Sequence, residues 1–162
     1  MKGVFAFLAV ACFYVVCTRG SLHASCKIEW TWGVNCTVVR NAILKQIDKW
    51  KSDENCKNGG EKCLYTLKGV TATQIKATHE TPKAHYIDDL TFTVKANSTS
   101  KLCNMEGYST SELWYAVLDY GTNYCNLHNL ITGAALDTFP GYKEVTSDSV
   151  CTQYSSANCE KY

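Results

Sequence analysis

The sequence is poor in chain breakers and in the patterns that carry common enzyme chemistry. Of 162 residues only two are proline, Pro82 and Pro140, so no proline-rich linker or recognition segment is present. No run of like charge occurs, and 16 Lys+Arg stand against 15 Asp+Glu for a net charge of +1. That balance lacks the basic stripe that displaces counterions from phosphates, which argues against nucleic acid. It equally lacks the polybasic patch that an anionic membrane surface attracts. The ten cysteines include no C-x2-C pair, the usual zinc spacing. Gly-x-Ser-x-Gly, Walker and dinucleotide-binding glycine patterns are missing as well. Beyond Cys17 no apolar run approaches the about 20 residues a spanning helix needs, so no membrane span is expected. No repeat or low-complexity linker divides the chain.

What is present begins with a leader. Lys2 precedes the unbroken apolar run "VFAFLAVACFYVVC", Val4 to Cys17, and small residues follow at Gly20 and Ala24. This is the layout of a secretory signal peptide over residues 1–20, with cleavage as late as residue 24. A signal anchor is the alternative, and the shortness of the run argues against it. The expected product is a single secreted, extracellular, disulfide-rich domain over 21–162, long enough to bury a real core. Losing Lys2 and Arg19 brings its net charge to about −1. Its eight cysteines, Cys26, Cys36, Cys56, Cys63, Cys103, Cys125, Cys151 and Cys159, form an even set, which in an exported chain reads as a disulfide framework. Proximity alone suggests Cys56–Cys63 and Cys151–Cys159. Two sequons, "NST" at Asn97 and "NCT" at Asn35, mark candidate glycosylation sites, Asn97 being the better acceptor because "KANSTSK" is a polar turn.

Periodicity gives the elements. "CKIEWTW" alternates Ile28, Trp30 and Trp32 with polar residues, a strand with one face in a core. Val39, Ile43, Ile47 and Trp50 then recur at helical spacing, predicting an amphipathic helix over about 37–51 with Thr37 or Asn35 as its cap. Asn58, Gly59 and Gly60 end it. Strands are expected in "CLYTLKGV", "TATQIKATHE" and "HYIDDLTFTVKA", the last two joined around Pro82. Asp88 shares the parity of Leu90 and Phe92, so it is either turned out by a bulge, the preferred reading, or buried with a partner. "ELWYAVL" predicts a central strand apolar on both sides, "DYGTNY" a hairpin turn, and Cys125 to Ile131 the returning strand. Residues 132–162 are expected to be irregular and pinned by bridges.

The fold class that follows is α+β: an antiparallel sheet of four to six strands packed on one long N-terminal helix and stabilised by disulfides. Over residues 26–131 this element order resembles the cystatin fold, which implies a protease inhibitor; the Gln-x-Val-x-Gly hairpin has no counterpart, "LKGVTATQ" lacking that order. "WYAVLDYGTNYCNL" resembles a stretch of some secreted arthropod lipocalins over fourteen residues, without their early Gly-x-Trp. Neither resemblance assigns a family.

Candidate chemistry is sparse. "HETPKAHYIDD" brings His79, His85 and Asp89 within eleven residues, the best material for a metal-dependent hydrolase, although composition suits a solvated turn better. "GYSTSE" is a polar loop without a positioned base, and His128 suits a satisfied histidine. No catalytic, metal or cofactor site is therefore assigned, and no enzyme is expected. Four aromatics, Trp30, Trp32, Trp114 and Tyr115, exceed what one face of a small sheet must bury, although core packing is the commoner fate of such residues. The expected function is a secreted, N-glycosylated binding protein using that sheet face for a small amphiphilic molecule or an extracellular protein partner.

Overall fold

A computed structural model of the chain describes residues 23–95, 102–113 and 117–162. The expected leader over residues 1–20, Asn97, Trp114 and Tyr115 lie outside the described residues, whereas Ala24, the later cleavage position, is described and buried. The chain runs β1 (Ser25–Trp32), α1 (Cys36–Lys49), β2 (Tyr65–Val70), β3 (Gln74–Glu80), β4 (Ile87–Val94), β5 (Cys103–Ser111), α2 (Thr122–Gly133) and β6 (Lys143–Val145). The strands form one antiparallel sheet in the order β2-β3-β4-β5-β1-β6. The class is α+β, with four disulfides.

Local sequence explains the first half. In β1 the alternate residues Cys26, Ile28, Trp30 and Trp32 are buried and their neighbours are not, the period-two signature of a half-buried strand. Asn35 caps α1, its Oδ1 accepting the Thr37 amide at 2.7 Å, and Val39, Ile43 and Ile47 face inward. The strand register then stacks the inward side chains in rows. Ile75, Phe92, Gly107 and Ile28 stand side by side on β3, β4, β5 and β1. Met105, Trp30 and Glu144 form the next row, across β5, β1 and β6. Gly107 makes room for the indole of Trp30, whose ring occupies the space a Cβ there would take. One core cluster joins these side chains to Ile43 and Ile47 of α1 and to Leu127, Leu130 and Ile131 of α2.

The second half departs from the sequence reading. Residues 122–133 are a helix, not the second strand of a hairpin. Asp119, read as a turn residue, caps that helix: its carboxylate accepts the Gly121 amide at 3.2 Å and the Asn123 amide at 3.1 Å. Three asparagines, Asn123, Asn126 and Asn129, are spaced three apart and all buried, so the inward face of α2 is half polar. Two helices, not one, therefore contribute to the core. Of the expected strand at 113–118, residues 114–116 lie outside the described residues; Leu113, Val117 and Leu118 are not in a strand, and the last two are exposed. A strand missed in the sequence is β5, whose second half, from Gly107, falls in the segment read as a polar loop; Gly107 and Ser109 face inward there and gave no apolar alternation. Asp88 has no bulge beside it; β4 runs in register with both neighbours, and the alternative of burial with a partner is the one found.

Four bridges close the described fold: Cys26–Cys151, Cys36–Cys103, Cys56–Cys63 and Cys125–Cys159. Cys56–Cys63 is the pairing that proximity suggested; Cys151–Cys159 is not formed. Each of those two cysteines instead ties the tail to a core element, Cys151 to β1 and Cys159 to α2. Glu144 adds a polar clamp. Its carboxylate accepts from Trp30 Nε1 at 2.8 Å, Tyr124 OH at 2.7 Å and Tyr142 OH at 3.0 Å, and meets His128 Nδ1 at 3.0 Å. Burial works to raise its pKa, but hydrogen bonds from His128, Trp30 and Tyr124 overcome that and hold it down at about 2.

Candidate functional site

The inward rows change character at one end of the sheet. Tyr65, His79, Asp88 and Ser111 stand side by side on β2, β3, β4 and β5, a polar row where the apolar core stops. Tyr65 OH donates to the Asn126 carbonyl at 3.0 Å. His79 is buried, with Nε2 at 2.8 Å from the Glu61 carbonyl. A carbonyl only accepts, so Nε2 carries the ring proton and Nδ1 is left buried without a partner. Burial holds the His79 pKa down at about 4, which keeps the ring neutral at physiological pH. Asp88, only 4 % exposed, accepts from Asn126 Nδ2 at 2.6 Å and from the Ser111 side chain. α2 thus supplies the partner that lets β4 bury a carboxyl.

This polar end opens into a cavity of about 570 Å3, within the usual range for a small-molecule site. Asp88, Ser111, Thr81, Thr122, Glu61 and one cation, Lys83, supply its polar lining. Its apolar lining comes from Leu113 and from four large exposed side chains: Tyr86, Val117, Leu118 and Tyr120, at 53, 60, 65 and 65 %. Tyr120 sits in the left-handed region, φ 55°, which is uncommon for a bulky residue. Gln153 Oε1 holds it there by accepting the Asp119 and Tyr120 amides at 2.9 and 2.7 Å.

The cavity's charge is unbalanced. Glu61 Oε2 is buried and has no hydrogen-bond partner. Its pKa is raised, first by burial and then by the charge of Asp88. Asp88 is likewise raised, chiefly by burial, against the hydrogen bonds of Asn126 and Ser111. Among the described residues no ion pair reaches either carboxyl. Asp119 also lines the cavity, but the two backbone amides and Asn123 Nδ2 at 2.8 Å occupy it as a helix cap.

The residues singled out from the sequence lie mostly elsewhere. Trp30 and Trp32 are completely buried; Trp30 stacks on Phe92 at 6.0 Å, and Trp32 donates to the Leu136 carbonyl at 2.9 Å. Both belong to the buried cluster that includes side chains of α1 and α2, so they are core and not an open aromatic platform. Leu113 and Val117 line the cavity; Trp114 and Tyr115, between them in sequence, lie outside the described residues. His79, His85 and Asp89 are not brought together. His79 faces the core, His85 is exposed and meets Glu80 Oε1 at 2.6 Å, and Asp89 is exposed. Among the described residues no group of three metal-ligating side chains converges, and no helix is long and apolar enough to cross a membrane. Asn35 is exposed, and its neighbour Cys36 is bridged.

The parity of Asp88 was the one sequence signal that pointed here. Glu61, Leu118 and Tyr120 gave none. The chain matches no protein-family model, no curated protein and no solved structure.

Proposed function

We propose that this is a secreted, extracellular binding protein, N-glycosylated at Asn97 and Asn35, that takes a small amphiphilic molecule into the cavity at the polar end of the sheet. One observation carries the reading: a cavity of about 570 Å3 joins exposed apolar side chains to buried polar groups. Apolar walls with a few convergent polar groups are the usual construction of a ligand site. Four disulfides suit an oxidising compartment. The ligand-binding role first given to Trp30 and Trp32 passes to Tyr86, Val117, Leu118 and Tyr120. The inhibitor alternative rests on the cystatin-like element order alone, and for hydrolysis no metal set converges among the described residues; neither gains an observation.

A titration of the secreted protein with Nile red, a neutral apolar dye, tests the reading. Saturable one-to-one enhancement of dye emission is expected. Leu118→Asp, at an exposed position where the fold tolerates a charge, is expected to weaken it by about tenfold or more, the effect of ~1.4 kcal/mol. No enhancement, or equal enhancement in the variant, would count against the cavity. Native mass spectrometry of the same material, before and after deglycosylation, reads retained ligand and glycans together.

A further inference from the structure

The cavity has an apolar mouth, yet among the described residues neither of the two carboxyl groups in its lining forms an ion pair; Lys83 also lines the cavity and, with Lys161, acts on Glu61 only from beyond salt-bridge distance. Resting on the cavity reading above, we propose that its ligand is an organic monocation: an ammonium group on an apolar body, the nitrogen set against Glu61 and Asp88 and the body among Tyr86, Val117, Leu118 and Tyr120.

The chemistry of the lining selects this class over its competitors. A ligand carboxylate or phosphate would meet Glu61 and Asp88 at close quarters in a partly dry site, where like charges repel strongly. A neutral ligand would expel water from both carboxyls and supply no compensating charge, which is costly for an ionised group. A calcium ion asks for six to eight oxygen ligands, and among the described residues no group of three metal-ligating side chains is assembled. An ammonium group donates two or three hydrogen bonds and carries one positive charge. It therefore meets the partnerless Glu61 Oε2 and the remaining acceptor capacity of Asp88 at once.

The surroundings set the pH dependence. Glu61 faces Asp88, with the ammonium groups of Lys83 and Lys161 also acting on it. Asp88 faces Asp119 and Glu112 and receives hydrogen bonds from Asn126 and Ser111. The buried hydroxyl of Tyr65 and the neutral ring of His79 complete the set. Both carboxyl pKa values are raised, so protons compete with the cation above the ordinary carboxylate range. Ammonium binding therefore weakens as pH falls.

Calorimetric titration of the secreted full-length protein with three probes of one shape tests this: 2-phenylethylamine, 2-phenylethanol and 3-phenylpropionate. The amine is expected to bind about tenfold or more tighter than the alcohol, the scale of a charge-assisted hydrogen bond, and the carboxylate weakest. That preference is expected to shrink from about pH 7.5 to about pH 5. Glu61→Gln and Asp88→Asn are each expected to lower the amine-to-alcohol ratio at least about threefold. Glu61 lies in a loop and tolerates the amide, so the test stands even where Asp88→Asn disturbs Asn126. An alcohol bound as tightly as the amine, or a tighter carboxylate, overturns the cation and leaves the cavity standing. The same holds if Nile red binds and none of the three probes does. Failure of the dye and of all three probes removes both.

Discussion

Trp30→Ala is expected to cost the fold ~3–5 kcal/mol, the range for emptying a buried tryptophan site. Three losses combine. The indole is completely buried and touches Phe92 and Trp32, with ring centroids 6.0 and 6.2 Å away. The ring lies against Gly107, which has no side chain to offer in its place. The Nε1–H that Glu144 accepts also disappears. Trp30→Phe weights the terms differently, because it keeps much of the volume and loses the donor entirely. Glu144 has its pKa depressed to about 2 from an ordinary 4.5. A depressed carboxyl contributes stability that is fully present above the ordinary value and lost as pH falls towards about 2; here that contribution is about 3 kcal/mol. Trp30→Phe therefore moves acid unfolding to higher pH, which circular dichroism reads directly. Urea midpoints at neutral pH give the packing loss. A Trp30→Ala variant less than about 1 kcal/mol below the parent would contradict the buried position.

The second large effect concerns the bridge that closes the molecule. Removing Cys26 and Cys151 together by alanine is expected to lose ~4 kcal/mol. The two cysteines lie 125 residues apart, and a long closed loop is what a crosslink constrains most in the unfolded chain. Bridges Cys36–Cys103 and Cys125–Cys159 shorten the free path, which keeps the figure below that of an isolated loop of this length. Cys56–Cys63 closes only seven residues, and its removal is expected to cost ~2–3 kcal/mol in the same relation. Equal losses at the two sites would count against a stabilisation governed by loop length.

Half of this architecture is legible from local pattern. β1 and α1 follow from strict periodicity, and Pro82 fixes the β3–β4 connection. α2 is hidden for a definable reason. Its buried face carries Asn123, Asn126 and Asn129 beside Leu127, Leu130 and Ile131, so an amphipathic count scores half of that face as solvent-facing. With α2 unread, Asp88 had no visible partner, and a bulge was the natural way out. The same omission left one face of the sheet without enough cover for Trp30 and Trp32 and made them look like a binding surface. Cys56–Cys63 was legible from proximity, but Cys151–Cys159 failed on topology: β1 enters the sheet between β5 and β6, and no spacing in the chain announces that. The cavity is less legible still, because Glu61, Asp88 and Leu118 come from a loop, a strand and an irregular segment.

Two carboxyl groups, Glu61 and Asp88, line one apolar-mouthed cavity, and among the described residues neither forms an ion pair. Carboxyl carbon-13 titration of Glu61 and Asp88, assigned through the two amide variants, tests it most directly. In the free protein both groups are expected to titrate above the ordinary 4.5 and 3.8, and 2-phenylethylamine is expected to bring both down. Titration of both at or below those ordinary values in the free protein would contradict the account.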